Sequence, residues 1–118
     1  MKPPPVVLTI AGSDNSCGAG AQADLKTITA LGGYAQTAIT CVVAEVPGRV
    51  EAIQALKPSI VAEQIRLSLE AFPVAAVKTG MLFSRGIIRA VAEALPDAPH
   101  FPLVVDPVMV ASSGDPLL

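Results

Sequence analysis

Ala11-Gly12-Ser13-Asp14-Asn15-Ser16-Cys17-Gly18-Ala19-Gly20-Ala21-Gln22-Ala23-Asp24-Leu25-Lys26 joins an apolar run to a helical pattern through a turn of small residues. Ahead of it, Pro5 to Ile10 is unbrokenly apolar, as expected of a strand covered on both faces. Behind it, Ala21, Leu25, Ile28 and Leu31 recur at helical spacing and are expected on one buried face, and Gly32-Gly33 ends the pattern. Gly12, Gly18 and Gly20 permit close backbone approach, and the free N–H groups of a helix starting near Gly20 favour an anion or another acceptor. Two readings follow: a small-molecule site at a strand-turn-helix junction, or a structural connection with an Asx turn at Asp14. Glycine spacing does not choose between them. Ser13 to Cys17 interrupt what a dinucleotide fingerprint would need, and no Gly-Lys-Ser/Thr phosphate loop is present.

Outward from this stretch, strands and helices alternate. Tyr34 to Val46, rich in Val, Ile and Thr, reads as a strand ending at Pro47-Gly48, and Glu51 to Leu56 as a short extended piece. Pro58 to Phe72 reads as a helix with proline in its first turn and Val61, Ile65, Leu69 and Phe72 facing inward. Val74 to Lys78 is a strand leading into Thr79-Gly80-Met81. Ser84 caps a helix whose Ile87, Ile88, Val91 and Leu95 face the core before Pro96, and Pro102 to Asp106 is the last strand. The alternation predicts an α/β fold of parallel strands and right-handed crossovers with helices on both sheet faces. Ligands in such folds sit beyond the carboxyl ends of the strands. Three turns fall there, Gly12 to Gly20, Thr79 to Leu82 and Asp106 to Gly114, and together they predict one pocket.

Composition agrees with a single compact domain: 52% hydrophobic and 15% charged residues with a mean hydropathy of +0.58 describe a chain that buries most of its elements. A net charge of -2, with basic residues scattered, gives no footing for nucleic acid or an anionic membrane. Cys17 and Cys41 match neither a disulfide framework nor a metal-binding spacing and read as reduced thiols. The prolines at 3 to 5 argue against a signal peptide, and no apolar stretch is long enough to span a bilayer, so the expected location is cytoplasmic. His100, between Pro99 and Phe101, reads as a surface loop residue.

The blocks Val7-Leu8-Thr9-Ile10-Ala11-Gly12-Ser13-Asp14, Gly18-Ala19-Gly20, Gln22-Ala23-Asp24-Leu25-Lys26-Thr27, Lys78-Thr79-Gly80-Met81-Leu82, Val105-Asp106-Pro107-Val108-Met109 and Ser113-Gly114-Asp115-Pro116-Leu117-Leu118, in this order and spacing, resemble the hydroxymethylpyrimidine and phosphomethylpyrimidine kinases of the ribokinase-like superfamily. The resemblance implies a three-layer α/β/α ribokinase-like fold, with 1–118 as the N-terminal half of one kinase domain and of its mostly parallel sheet. It implies ATP-dependent phosphorylation of 4-amino-5-hydroxymethyl-2-methylpyrimidine, or its monophosphate, in thiamine biosynthesis, with ATP and Mg2+ as cofactors. The partners are then the small pyrimidine and ATP, and the expected assembly is a homo-oligomer. Two alternatives stay open, a pyridoxine or pyridoxal kinase and a non-catalytic truncated ligand-binding half.

Roles carry over position by position. Gly12 matches a backbone contact to the pyrimidine, Asp24 a contact near the hydroxymethyl or amino group, Met81 a residue packed on the ring face and Val108 a pocket wall. Asp106 matches the phosphate and metal side, where a carboxylate organises magnesium-bound phosphates indirectly. The bland counterparts are a turn glycine, a solvated first-turn acid, a core gap-filler and a strand-end acid. Glu45 stands where many members have glutamine, Cys17 where glycine is usual and Asn15 where proline is common. An ionised glutamate only accepts, so Glu45 is expected to alter recognition of the aminopyrimidine edge without abolishing it. No catalytic residue is expected in this half; the base and anion hole belong to the C-terminal half of the family domain. Residues 1–118 alone, if they are the whole polypeptide, are accordingly expected to lack kinase activity, and to self-associate through the strand ending at Asp106 or stay poorly folded.

Overall fold

The computed structural model describes residues 1–110 together with Gly114 and Pro116. Its elements are β1 (Val6–Asp14), α1 (Gly20–Ala30), β2 (Tyr34–Val46), β3 (Arg49–Ala55), α2 (Pro58–Ala71), β4 (Val74–Thr79), α3 (Arg85–Ala94) and β5 (Leu103–Val105). The five strands form one sheet in the order β3-β2-β1-β4-β5. β1 pairs in parallel with β2 and β4, and β4 with β5; β3 alone runs antiparallel, as the second arm of a hairpin turned at Pro47-Gly48. After β3 the chain crosses through α2 to β4 on the opposite side of β1, which makes the carboxyl end of β1 the point where the winding reverses. A ligand crevice is expected at such a point.

Alternation along β1 assigns the two faces. Leu8 and Ile10 are fully buried and share a cluster with Val61 and Ile65 of α2, Ile87 and Val91 of α3, and Val77 and Phe101. Thr9, pointing the other way, donates to Asp24 of α1. The sheet is therefore covered on both faces, by α2 and α3 on an apolar side and by α1 on a more polar one. Ser84 caps α3 as its position predicts, its Oγ accepting from the N–H of Ile87 at 3.2 Å.

Three expectations need correction. The first strand does not stop at Ile10 but continues to Asp14, because β2 pairs with Ser13 and Asp14 beyond an irregularity after Ala11. Leu25 and Leu31 are exposed rather than buried, and Ala21 is the buried residue of α1. The short α1 meets its sheet face through Thr9 and Lys78, so its register serves polar contacts there rather than an apolar stripe. Phe72 and Ile88 are exposed as well; Phe72 lies past the end of α2 and stacks on Tyr34 with centroids 6.4 Å apart.

Candidate functional site

A cleft of about 470 Å³ opens at the carboxyl ends of β1, β2 and β4, a size within the roughly 300–1,000 Å³ usual for small-ligand sites. Gly12, Asp14, Glu45, Met81, Asp106 and Val108 all line it. Of the residues singled out by sequence, Gly12, Glu45, Met81, Asp106 and Val108 are thus brought together from four segments of the chain. Asp24 is not among the lining residues. Its Oδ2 accepts from the Thr9 hydroxyl at 2.6 Å and from Lys78 Nζ at 2.7 Å, and it is Lys78 that reaches the cleft.

The floor depends on two glycines. A Cβ on Gly12 would lie 2.9 Å from Met81 Cε and 3.0 Å from Cys41 Sγ, so a side chain there would occupy the space the cleft needs. Gly20 has φ +62°, and a Cβ there would meet the carbonyl oxygen of Gly12 at 2.5 Å. The turn folds back on the strand that precedes it, and only glycine fits. Cys17, standing where glycine is usual in the resemblance, has φ +62° as well.

Asp14 organises the turn. Its Oδ1 accepts from Ser16 N–H at 2.8 Å and Ser16 Oγ–H at 2.7 Å, and its Oδ2 from the N–H groups of Gly18 at 3.1 Å and Ala19 at 2.9 Å. The Asx turn is therefore present. Asp14 thus fills the turn just ahead of the helix, at the N–H groups of Gly18 and Ala19. Gln22 fixes the same segment, accepting from Asp14 N–H at 2.8 Å and donating to Ser13 Oγ at 2.7 Å. Asn15 Oδ1 accepts from Glu45 N–H at 2.7 Å and ties the end of β2 to the turn. Across the cleft, Thr40 Oγ donates to the carbonyl of Met81 at 2.7 Å and sets the loop after β4.

Charge in the cleft is uneven. Burial works to raise the Asp14 pKa, yet hydrogen bonds from Ser16 and Ala19 prevail and hold it below the ordinary range. Burial and then the Asp14 charge push Glu45 up, and burial above all raises the Cys41 thiol. Lys78 and Asp24 keep 27% and 21% of their side-chain surface, a largely enclosed pair. Sequence reasoning missed Lys78, Gln22 and Thr40 as site-builders and read Asp14 only as an Asx turn. Lys78 had a detectable signal, a lysine at the end of an otherwise apolar strand. Thr40 had none, since its partner is 41 residues away.

As to a metal, no group of three or more His, Cys, Asp or Glu able to hold one exists among the described residues. Asp106 is a single exposed carboxylate, which fits at most one ligand of an ion carried by phosphates. The Ser113 to Leu118 block falls mostly outside the described residues.

Comparison with known proteins is consistent over this whole region. Residues 14–118 match the family model described as phosphomethylpyrimidine kinase. The chain is 54% identical over 114 residues to the putative hydroxymethylpyrimidine/phosphomethylpyrimidine kinase 2 of Schizosaccharomyces pombe, covering 97% of this chain and 21% of that one. It superimposes on the crystal structure of phosphomethylpyrimidine kinase from Clostridium difficile with a TM-score of 0.84 at 44% identity, covering 96% of this chain and 49% of that one. On the pyridoxal kinase from Staphylococcus aureus in complex with AMP-PCP and pyridoxal, the TM-score is 0.78 at 39% identity, with 90% and 40% covered. The chain thus spans about a fifth of the yeast relative and half of the clostridial one.

Proposed function

The chain belongs to the phosphomethylpyrimidine kinase family, and from that premise we propose that its cleft is the alcohol-substrate pocket of an ATP-dependent kinase. The substrate is 4-amino-5-hydroxymethyl-2-methylpyrimidine or its monophosphate, on the route to thiamine. The observation that carries this reading is the convergence of Gly12, Glu45, Met81, Asp106 and Val108 on one cleft at the point where the sheet reverses its winding.

Each lining residue has work suited to its chemistry. Gly12 leaves the floor bare for a flat ring, Met81 offers a polarizable surface to the ring face, and Val108 closes a side. Glu45 faces the amino edge. Asp24 acts through Lys78, whose ammonium it fixes at the cleft wall. The hydroxymethyl oxygen, which loses its proton, or in the monophosphate an oxygen of the substrate's own phosphate, forms a bond to the γ-phosphorus of ATP while the bond from that phosphorus to the bridging oxygen breaks and ADP leaves. Asp106 sits toward the phosphates, and Mg2+, when present, neutralises phosphate charge. No base and no anion hole is assigned within 1–118.

The overlap with the S. aureus pyridoxal kinase supports a second reading, a pyridoxine or pyridoxal substrate in the same cleft. Glu45 favours the first, because an aminopyrimidine presents an amine to it. We further propose that the protein works in the cytoplasm as a homo-oligomer; no described helix is long and apolar enough to cross a membrane.

Calorimetric titration of the chain with hydroxymethylpyrimidine and with pyridoxal decides between substrates: saturable binding of the pyrimidine alone is expected, and preference for pyridoxal would reverse the assignment. In the kinase that carries these residues, Asp106→Asn is expected to lower kcat at least about tenfold and change the magnesium requirement, with pyrimidine affinity little altered. Collapsed pyrimidine affinity with a normal magnesium response would move Asp106 to the substrate side.

A further inference from the structure

Between Ala11 and Ser13, β1 has one residue, Gly12, where β2 has two, Thr40 and Cys41: Ala11 pairs with Ile39, and Ser13 with Val42. A bulge of this kind re-aims the side chains beside it. Thr40 and Cys41, adjacent in sequence, are both fully buried. Cys41 Sγ comes 3.0 Å from the position a Cβ on Gly12 would take, and so packs against the bare floor of the cleft. Thr40 instead sends its hydroxyl to the loop after β4, donating to the Met81 carbonyl at 2.7 Å, while its own carbonyl accepts from Leu56 N–H at 3.0 Å just past β3. The Cys41 sulfur, 3.8 Å from the same hydroxyl, is the weaker acceptor.

Met81 has need of such an anchor. It lies outside regular structure, between Gly80, whose N–H donates to the Ile10 carbonyl at 2.8 Å, and Phe83, held at φ +71°. A bulky residue in that left-handed region is strained and stays there only where its surroundings fix it. The Met81 side chain reaches back over Gly12, with Cε 2.9 Å from where a Cβ would stand. Its three rotatable bonds make that placement depend on where the backbone is held. Gly12 and Met81 line the cleft; Thr40 lies behind them and does not.

We propose that Thr40 is a positioning residue of the cleft: its hydroxyl fixes the Met81 backbone, holds the thioether over Gly12 and so sets the gap that a flat ring enters. It acts without touching the ligand. This rests on the pocket reading above for its choice of ligand and goes beyond it in what keeps the pocket in shape. Valine at position 40 keeps nearly the same volume but removes the donor, leaving the Met81 carbonyl without its partner. The loop then turns that carbonyl toward water, and Met81 leaves its place over Gly12. Serine keeps the donor.

The test follows the Met81 methyl group by NMR, identified by its loss in Met81→Leu, together with calorimetric titration of hydroxymethylpyrimidine, in the wild-type chain, Thr40→Val, Thr40→Ser and Ile65→Val. Ile65 of α2 is fully buried in the apolar cluster and away from the cleft lining, so its variant controls for lost stability alone. Wild type and Thr40→Ser are expected to show the methyl at a shift distinct from that of free methionine. Thr40→Val is expected to move it toward the free position and to weaken binding about tenfold, while Ile65→Val leaves both unchanged. A Met81 methyl already at the free position in the wild-type chain overturns the proposal, even where Thr40→Val does not fold. So does an unmoved methyl in Thr40→Val, a failure of Thr40→Ser to keep both readouts, or an equal loss of affinity in Ile65→Val. If none of the proteins binds the pyrimidine while the methyl responds as expected, the substrate reading falls and the positioning of Met81 by Thr40 stands.

Discussion

Gly20 shows how a single hydrogen atom in place of a methyl group can decide a site. Its left-handed conformation alone would cost a side chain about 1–2 kcal/mol, and the Gly12 carbonyl at 2.5 Å adds a backbone clash that no rotamer relieves. Gly20→Ala is therefore expected to lose more than about 2 kcal/mol in urea unfolding, with the cleft distorted because Gly12 must move. A loss under about 1 kcal/mol would mean that the turn has another accessible conformation. The glycines were legible in the sequence as a group, but their separate duties were not. Positive φ belongs to Gly20, and close approach to Met81 and Cys41 belongs to Gly12. Asp14 was legible as an Asx turn; its role as neighbour to Glu45 requires knowing that β2 lies beside β1. Asp24 meets Lys78 rather than lining the cleft, and nothing local in the sequence announces that contact.

At the scale of elements, strands and α2 were readable from apolar runs and proline, and Ser84 from capping chemistry. Two of the misread residues lie on or just past α1, where an apolar period exists without an apolar partner: Leu25 and Leu31 face water, and the adjoining sheet face carries Thr9 and Lys78. β5 has the opposite character. It pairs with β4 on one side only, and Val104 and Val105 each retain 60% of their surface. An edge of this kind accepts another strand. Val104→Lys is expected to shift the chain toward monomer in light scattering and to lower its unfolding midpoint only by what association contributes, because the side chain itself is exposed. Self-association unaltered by the charge would place the contact elsewhere.

For the molecule as a whole, the two cleft carboxyls pull stability in opposite directions as pH changes. Asp14 has a depressed pKa, so its contribution is present above the ordinary aspartate range and is lost as pH falls through the lowered value. Glu45 has a raised one: the folded chain binds its proton more tightly than the unfolded chain, so stability declines as pH rises from the ordinary glutamate value through the raised one. Denaturation midpoints measured across pH should give a maximum between these limits, and Glu45→Gln should remove the decline on its alkaline side. A wild-type curve still rising through that window would contradict the assigned directions.

The central position of β1 also bears on how the chain is made. β1 leaves the ribosome before its partners, which lie at residues 34–43 and 74–79. One side of this apolar strand waits for β2, and the other until β4 has emerged. During that interval translation holds out a segment that is fully buried at Leu8, Thr9 and Ile10 in the finished fold. Slower synthesis across α1 to β4 thus lengthens the exposure of the strand on which the whole sheet is assembled.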